Sequence, residues 1–307
     1  MNKYKIFFDT DIGDDIDDAL ALIFLLKMQC EVVGVSTVYA NTPLRTRLCN
    51  KILSLAGRRD IPVYSGRRKP FKSIVDVERS FVQASPELLE DDYAPINDAT
   101  LDEGEAAIDA LIAAARKYKE ELIILAVGPF TNIAAAIQKD CEAFEHVNKI
   151  VLMGGCFYEQ FVEYNVFCDP EAADYIFKSG LNIHLIGGDV TWKVQLNDEQ
   201  TKMVLDTYSD DLNGYCAELV RMWKAGCWFN PVLHDPLAAY YAVNPDICKL
   251  EPVWTEVELD GSITRGLTVN RDHFLKYLEH KLDNNRILCA YDVDVERFID
   301  EFLKYMF

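Results

Sequence analysis

The feature that most constrains the fold is an alternation of short apolar segments, rich in β-branched and aromatic residues, with longer segments of helical periodicity. Near the start of the chain, strand-type segments at residues 5–9, 31–39 and 61–66 alternate with helical segments at residues 17–29 and 43–56. This alternation is typical of βαβ units, in which a helix connects two parallel strands. It predicts an α/β fold.

The same alternation resumes after a polar stretch at about residues 67–104. The further strand-type segments are residues 121–127, 149–155 and 181–189, and the further helical segments are residues 106–118, 131–138 and 170–180. Because βαβ crossovers are nearly always right-handed, one open sheet with helices on both faces accommodates all of these segments. We therefore predict a Rossmann-like, mostly parallel, doubly wound sheet.

The last third of the chain is expected to add extra helices and a late β-hairpin. The predicted elements are a helical region at residues 198–225, an aromatic loop at 227–231, a helix from about Asp235, two strands at 253–259 and 263–270, and an amphipathic helix at 292–307. The hairpin is predicted because Asp260-Gly261, between the two strands, suits a tight turn. No repeat or linker divides the chain, so residues 1–307 are interpreted as a single domain.

The net charge indicates which partners to expect, and the cysteines indicate which cellular compartment. The formal net charge is −19 and there is no long basic run, so phosphate backbones and anionic membranes would repel this chain. No segment approaches the roughly 18 apolar residues of a membrane span. The nine cysteines are scattered without a CxxC pair, and their odd number favours a reducing compartment. We expect a cytoplasmic protein that binds neither nucleic acid nor membranes.

An acidic cluster directly follows the first predicted strand. Its members are Asp9, Asp11, Asp14, Asp15, Asp17 and Asp18. Carboxylates at the carboxyl end of a strand repel one another unless a cation lies among them, so the cluster indicates a site for a hard cation such as Ca²⁺ or Mg²⁺. Open α/β sheets also bind their ligands at this edge. A simpler interpretation is that Asp14 and Asp15 are solvated turn residues and that one carboxylate caps the next helix.

Two known acidic loops were compared with this cluster. An EF-hand loop that begins at Asp9 requires glycine at its sixth position and glutamate at its twelfth, where this chain has Asp14 and Leu20. Asp9-Thr10-Asp11 is also similar to the nucleophile loop of haloacid-dehalogenase-type phosphatases, although Ile12-Gly13 follows instead of the usual Gly-Thr or Gly-Val. A Mg²⁺-dependent phosphohydrolase with Asp9 as its nucleophile therefore stays open as an alternative.

A longer series of motifs occurs in the order known from one family. The motifs are Asp9-Thr10-Asp11-Ile12-Gly13, Asp17-Asp18-Ala19, Asn41, residues 61–66, residues 128–134, Met153-Gly154-Gly155, residues 163–173 and His234-Asp235-Pro236. Over about residues 4–245 the chain resembles the inosine-uridine-preferring nucleoside hydrolase family. The resemblance implies the nucleoside hydrolase fold and the calcium-dependent hydrolysis of a ribonucleoside to free base and ribose. It also implies a homodimer or homotetramer.

The resemblance assigns roles to individual residues of this chain. It implies that Ca²⁺ is bound by Asp11, Asp18, Asp235 and the backbone carbonyl of Thr131, and that Asp17 is the general base. The residues implied in substrate binding are Glu163 and Asn165 at the ribose hydroxyls, with Asn41 and Met153.

The sequence departs from the family pattern at three places. The loop between Gly13 and Asp17 is two residues longer than in the best-known members, so Asp15 is a further candidate for a metal ligand or for the base. The segment between Gly155 and Glu163 is shortened and lacks an asparagine that other members direct at the sugar. Residues 67–100 contain no histidine, whereas some members place one beside the nucleobase.

Cleavage of an N-glycosidic bond passes through an oxocarbenium-like ribose and requires help for the departing base. His234 precedes the candidate ligand Asp235 and has an imidazole suited to proton donation, so we predict that it is the acid; a lone histidine is otherwise more often structural. At least one of Trp223, Trp228 and Phe229 is expected to stack on the base, although aromatic residues at helical spacing are more often core residues.

The function predicted from the sequence is therefore calcium-dependent ribonucleoside hydrolysis. A second alternative, beside the phosphohydrolase, is a nucleoside-binding module without activity. The presence of both Asp17 and His234 argues against that module, and the identity of the base stays open.

Overall fold

The computed structural model describes residues 4–72, 104–159, 161–274 and 286–307. The strands are β1 (Lys5–Thr10), β2 (Glu31–Thr37), β3 (Val63–Ser65), β4 (Leu122–Ala126), β5 (Lys149–Met153), β6 (Ile183–Ile186), β7 (Cys248–Val257), β8 (Thr268–Asn270) and β9 (Arg286–Val293). The helices are α1 (Asp17–Lys27), α2 (Thr42–Leu55), α3 (Glu105–Tyr118), α4 (Thr131–Lys139), α5 (Tyr164–Cys168), α6 (Pro170–Phe177), α7 (Gly188–Thr191), α8 (Asp198–Leu205), α9 (Leu212–Gly226), α10 (His234–Val243), α11 (Arg271–Phe274) and α12 (Val295–Met306).

These strands form one sheet in the order β3-β2-β1-β4-β5-β6-β9-β7-β8. The pairs from β3 to β9 are parallel, whereas β7 is antiparallel to both β9 and β8. The mostly parallel α/β sheet that the alternation predicted is therefore confirmed, and its first six strands follow the segments identified in the sequence.

The sheet is buried on both faces, which explains why its central strands are apolar along their whole length. Every residue of β4 and β5 is buried. In β1, Ile6 and Phe8 contact the core formed with α1, α2, α9, α10 and α12, while Phe7 contacts the core formed with α3, α4 and α6. Because side chains alternate across a strand, β1 contributes to both cores.

The terminal helix packs on the first helix. The rings of Phe24 in α1 and Phe302 in α12 are in an edge-on contact at 5.2 Å between centroids. Asp294 caps α12 by accepting a hydrogen bond from the Arg297 amide at 3.2 Å. The predicted helix at 292–307 therefore began too early, because Asp292 and Val293 belong to β9. Strand β9 was not predicted at all, and it lies between β6 and β7.

Two other predictions need correction. The helical region at 198–225 is two helices, because Asp211 ends the intervening loop and caps α9 through the amides of Asn213 and Gly214. The late hairpin is confirmed, with Thr255 paired to Asn270 and Val257 to Thr268. Its connection, however, spans residues 258–267 and is not a two-residue turn at Asp260-Gly261.

Most of the polar stretch at 67–104 lies outside the described residues. Across the described ranges, no helix has both the length and the apolar character that crossing a membrane requires.

Candidate active site

A cavity of about 600 Å³ opens at the carboxyl edge of the parallel strands. Its walls come from the loop after β1, the segments after β4 and β5, α7, the end of α9 and the start of α10. The sequence-predicted site residues that line it are Asp11, Asp15, Asp17, Asp18, Met153, Glu163, Asn165, Trp223, His234 and Asp235. The fold thus gathers in one cavity residues that are more than 200 positions apart in the sequence.

The loop after β1 presents Asp11 at the base of the cavity. Its carboxylate packs against the backbone after β4, where a Cβ added to Gly128 would lie 2.7 Å from Asp11 Oδ1. Glycine at this position therefore lets the two loops approach. Gly13 has a φ of 123°, a value that side-chain-bearing residues rarely adopt, and it turns the chain back towards α1.

The first turn of α1 supplies two more carboxylates. Asp17 and Asp18 are both buried there, where the unpaired amides and the helix dipole favour negative charge. The Thr10 hydroxyl donates a hydrogen bond to Asp18 Oδ1 and thereby fixes that side chain against the end of β1.

The fourth carboxylate comes from the far end of the chain. Asp235, in the first turn of α10, is 2% exposed, and one of its carboxylate oxygens lies within 4.8 Å of one oxygen each of Asp17 and Asp18. Burial and then mutual repulsion raise the pKa of Asp17 and of Asp235 well above the usual range. The pKa of Asp18 is raised to about 7, mainly by burial. A proton or a cation is therefore required among these carboxylates.

A buried arginine shapes the long loop that holds Asp11. Arg45 of α2 is 1% exposed and donates to the backbone carbonyls of Asp11, of Ile12 at 2.9 Å and of Tyr39 at 2.8 Å. Its remaining guanidinium nitrogen pairs with the Asp14 carboxylate at 2.7 Å. Asp14 is therefore an ion-paired residue of the cavity wall and not the solvated turn residue of the simpler interpretation.

Glu163 and Asn165 form a polar wall on the side of β5. Glu163 caps α5 and accepts hydrogen bonds from the amides of Gly155, Asn165 and Val166 at 2.9–3.1 Å. The Asn165 amide nitrogen donates to the carbonyls of Val127 at 2.6 Å and Met153 at 3.1 Å. Both amide hydrogens are thus engaged, which leaves Asn165 Oδ1 as an acceptor for a ligand.

Another part of the cavity lining, the aromatic end, consists of Phe161, Trp192, Trp223 and Phe229. Trp223 is 6% exposed, packs edge-on against Phe229 at 5.5 Å, and its indole donates a hydrogen bond to the Asp15 carboxylate. Phe161 and Trp192 line the same end, and Trp192 is 52% exposed. The cavity therefore has a carboxylate-rich end and a flat-ring end, which suits a ligand with one polyhydroxylated part and one planar part.

His234 directly precedes Asp235 of the carboxylate group and contacts the aromatic end through Trp192. Its Nδ1 is 2.6 Å from the Thr191 hydroxyl, and its ring is in edge-on contact with Trp192 at 4.8 Å. Burial lowers the pKa of His234 to about 4, so the ring is neutral near pH 7. A neutral ring differs from the imidazolium acid that the sequence suggested, and it can still donate a hydrogen bond through one nitrogen.

Three predicted site residues do not line the cavity. The Asn41 side chain caps α2 at the Leu44 amide, and the Thr131 hydroxyl donates to Asp169 at 2.6 Å. Trp228 is 92% exposed and is in edge-on contact with Phe229 at 5.5 Å between ring centroids. The residue after β4 that lines the cavity is Val127, four residues before Thr131, and its carbonyl accepts the Asn165 hydrogen bond.

Sequence reasoning missed several residues of the site. Trp192, Phe161 and Val127 line the cavity, while Thr191 and Arg45 contact His234 and the Asp11 loop. Thr191 and Trp192 follow a strand-type segment and belong to no known motif. Arg45 resembles any surface arginine in a helical segment. Only the tertiary contacts identify them.

Asp9, the nucleophile of the phosphohydrolase alternative, is outside the cavity lining. It is fully buried, and its Oδ1 accepts hydrogen bonds from the Ser36 hydroxyl and from the Asn132 amide at 2.8 Å. A side chain held in this way cannot reach a phosphate in the cavity.

Comparison with known sequences gives consistent matches. Residues 6–300 match the sequence profile of the family described as inosine-uridine preferring nucleoside hydrolase. Uridine nucleosidase 1 of Arabidopsis thaliana is 30% identical over 312 residues, which covers 96% of this chain and 91% of that protein. The pyrimidine-specific ribonucleoside hydrolase RihA of Escherichia coli O1:K1 / APEC is also 30% identical over 312 residues, which covers 96% of this chain and 96% of that protein.

Solved structures agree with the sequence matches. A plant nucleoside hydrolase superimposes with a TM-score of 0.82 at 28% identity and with 99% of each chain covered. The purine-preferring ribonucleoside hydrolase from Gardnerella vaginalis superimposes with a TM-score of 0.80 at 30% identity and with 98% of each chain covered.

Proposed function

The chain belongs to the inosine-uridine preferring nucleoside hydrolase family and is a nucleoside hydrolase, and from this premise we propose that it hydrolyses a ribonucleoside with the help of a calcium ion. The observation that carries the proposal is the convergence of Asp11, Asp17, Asp18 and Asp235 opposite Asn165 in one cavity with an aromatic end. The polar end would take the ribose, and the aromatic end would take the base.

The residues at the polar end fit a calcium ion. All of their donors are oxygen atoms, and the buried carboxylates repel one another unless a cation lies among them. Asp11, Asp18 and Asp235 would hold the ion. The carbonyl of Val127 is a better candidate for a further ligand than that of Thr131, because Val127 lines the cavity and Thr131 does not.

Asp17 would act as the general base in this mechanism. It lies at the start of α1 within the same group of carboxylates, and burial, which disfavours its charged form, favours the uptake of a proton. It would take a proton from the water that attacks the ribose carbon. When bound, calcium would supply positive charge that lowers the pKa of water and orients ribose hydroxyls.

Glu163 and Asn165 would orient the ribose. Asn165 Oδ1 can accept a hydrogen bond from a hydroxyl because both hydrogens of its amide are already donated to backbone carbonyls. Glu163 is fixed by three backbone amides, so its carboxylate is held rigidly before substrate binds. Such preorganisation lowers the entropy lost in forming the reactive complex.

His234 would assist departure of the base. Trp192, Trp223 or Phe229 would contact the rings of the base. The relatives named above include both pyrimidine-specific and purine-preferring enzymes, so the proposal covers ribonucleosides of either class. The phosphohydrolase alternative is not retained, because the family is one of nucleoside hydrolases and Asp9 does not reach the cavity.

The deciding experiment is base release from a panel of nucleosides. The protein would be incubated with inosine, guanosine, adenosine, uridine and cytidine in calcium buffer, and free base would be followed by chromatography. The matched control is Asp17→Asn, which keeps the size of the side chain but removes its basicity. Failure of the wild-type protein to release any base, despite nucleoside binding by calorimetry, would support the inactive binding module instead.

We further propose a cytoplasmic homodimer or homotetramer. The cysteines of the chain are all free thiols, as in proteins of reducing compartments. Light scattering after size exclusion measures the assembly, and a mass of 35.0 kDa would indicate a monomer and contradict this part of the proposal.

A further inference from the structure

The orientation of His234 is set by two consecutive residues at the end of α7. Thr191 contacts Nδ1 of the imidazole at 2.6 Å, and Trp192 packs against the ring with an angle of 87° between the planes. The ring is therefore held by a hydrogen bond on one nitrogen and by an aromatic contact beside it. No hydrogen bond within the described part of the chain engages Nε2, which leaves that nitrogen for a ligand.

The burial of Thr191 decides which partner donates in this hydrogen bond. The residue is 0% exposed, and across the described ranges Nδ1 is the one hydrogen-bond partner of its hydroxyl. A buried hydroxyl that does not donate leaves its hydrogen without a partner, which is unfavourable. The Thr191 hydroxyl therefore donates to Nδ1, and a neutral imidazole with Nδ1 as acceptor carries its hydrogen on Nε2.

We propose that Thr191 is a positioning residue, which fixes His234 in the Nε2–H tautomer and directs that N–H at the leaving base. The proposal deepens the role given to His234 and rests on the proposed function. It concerns a hydroxyl that does not line the cavity and acts only through the imidazole.

The resulting step balances without an imidazolium. As the bond between the ribose carbon and the base nitrogen breaks, its electron pair moves onto the base, and His234 Nε2–H donates a hydrogen bond to the negative charge that develops there. The proton of the attacking water goes to Asp17. The base departs as a hydrogen-bonded anion and is protonated by water afterwards, and the hydroxide left behind takes the proton from Asp17, so no proton leaves the imidazole.

A purely structural role for Thr191 predicts something different. The residue also ends α7, where its amide donates to the Gly187 carbonyl at 3.1 Å. If only packing mattered, loss of the hydroxyl would reduce all reactions alike. If the tautomer matters, the loss of kcat is larger for a substrate whose leaving group depends more on the hydrogen bond from His234.

The test compares Thr191→Val, which removes the hydroxyl at constant size, with Thr191→Ser, which restores it. Substrates are the best natural nucleoside of the panel and p-nitrophenyl riboside, whose leaving group is a stable anion. We expect Thr191→Val to lower kcat for the nucleoside by about tenfold to a hundredfold, with little change for p-nitrophenyl riboside. Thr191→Ser should recover most of the loss. The control is Thr201→Val, since Thr201 is a buried threonine of α8 whose hydroxyl has no hydrogen-bond partner among the described residues.

A second readout does not depend on turnover. The nitrogen chemical shifts of the His234 imidazole, assigned by comparison with His234→Gln, should show the Nε2–H tautomer in the wild-type protein and a loss of that preference in Thr191→Val. An Nδ1–H tautomer in the wild type, or equal losses of kcat on both substrates, would overturn the inference. If the wild-type protein released no base from any nucleoside, the proposed function would be overturned instead. The chemical shifts would still show which tautomer His234 adopts, so the two failures can be told apart.

Discussion

The electrostatics of the carboxylate group lead to an unusual expectation for Asp235→Asn: the variant should be more stable than the wild type when metal is absent. Asp235 is 2% exposed, and one of its oxygens lies within 4.8 Å of one oxygen each of Asp17 and Asp18. Two ionised carboxylates at that separation repel each other by about 3.5 kcal/mol at an effective dielectric constant of about 20. Partial protonation relieves part of this repulsion, and the substitution removes more of it.

The net effect is smaller than the full repulsion. A buried asparagine amide without complete hydrogen bonding costs about 1–3 kcal/mol, so we expect a net gain of at most about 0.5–2.5 kcal/mol. For a chain of this size the gain corresponds to a melting temperature about 1–5 °C higher. Calcium at about 100 times its dissociation constant should stabilise the wild-type protein by about 2.7 kcal/mol. Most of that calcium-induced shift should be lost in the variant, because a charged ligand is missing.

The assay is thermal unfolding of chelator-treated protein before and after calcium is added. Asp169→Asn is the matched control, since Asp169 is a buried carboxylate that does not line the cavity and that accepts hydrogen bonds from Thr131, Phe71 and Ala172. The control should lower the melting temperature with and without calcium. If Asp235→Asn behaved like this control and kept the full calcium shift, the carboxylate group would be a hydrogen-bonded structural cluster and our assignment of the cation site would be wrong.

Three further predictions follow from individual side chains. Asp17→Asn should lower kcat by about 10²–10⁴ while retaining most of the calcium-induced thermal shift, whereas Asp15→Asn should remain active; the opposite pattern would move the base to Asp15. His234→Ala should impair natural nucleosides far more than p-nitrophenyl riboside in steady-state assays, and equal losses would assign it a structural role. Burial holds the pKa of His184 at about 4, below that of the unfolded chain, so stability is present above about pH 6.5 and lost as the pH falls towards 4. The loss should amount to at most about 3 kcal/mol, and the stability of His184→Gln, measured by denaturant unfolding, should depend less on pH in this range than that of the wild type; an equal dependence would contradict the prediction.

The central fold was predictable because its signals are local. The strand-type and helical segments up to residue 189 each produced an element of the expected type, since burial on both faces of a parallel sheet leaves uninterrupted apolar runs. Strand β9 was missed because its residues Tyr291 and Asp292 sit beside the sequence of a strongly amphipathic helix. The break between α8 and α9 was missed because it depends on which aspartate caps a helix, a choice that tertiary packing makes.

In the candidate site, too, the residues that belong to motifs were predictable and those placed by tertiary contacts were not. Asp11, Asp17, Asp18 and Asp235 meet as the ordered motifs suggested, because the carboxyl ends of parallel strands share one edge of the sheet. The aromatic end was only partly predictable: Trp223 lines the cavity, while Trp228, five residues later, faces away from it. Trp192 lay outside any motif. The direction of a loop side chain depends on contacts between distant segments, and a single sequence does not encode those contacts in a readable pattern.

The position of β9 has a consequence for how the chain folds. The strand is the last in the sequence, yet it lies inside the sheet between β6 and the β7–β8 hairpin. While the protein is being synthesised, the six-stranded parallel part can assemble, but the hairpin has no sheet partner until residues 286–293 have left the ribosome. Until then, β6 and β7 both present unpaired strand edges, which are sites of aggregation. A chain that stops before residue 286 would keep the whole carboxylate group in its sequence and still expose both edges.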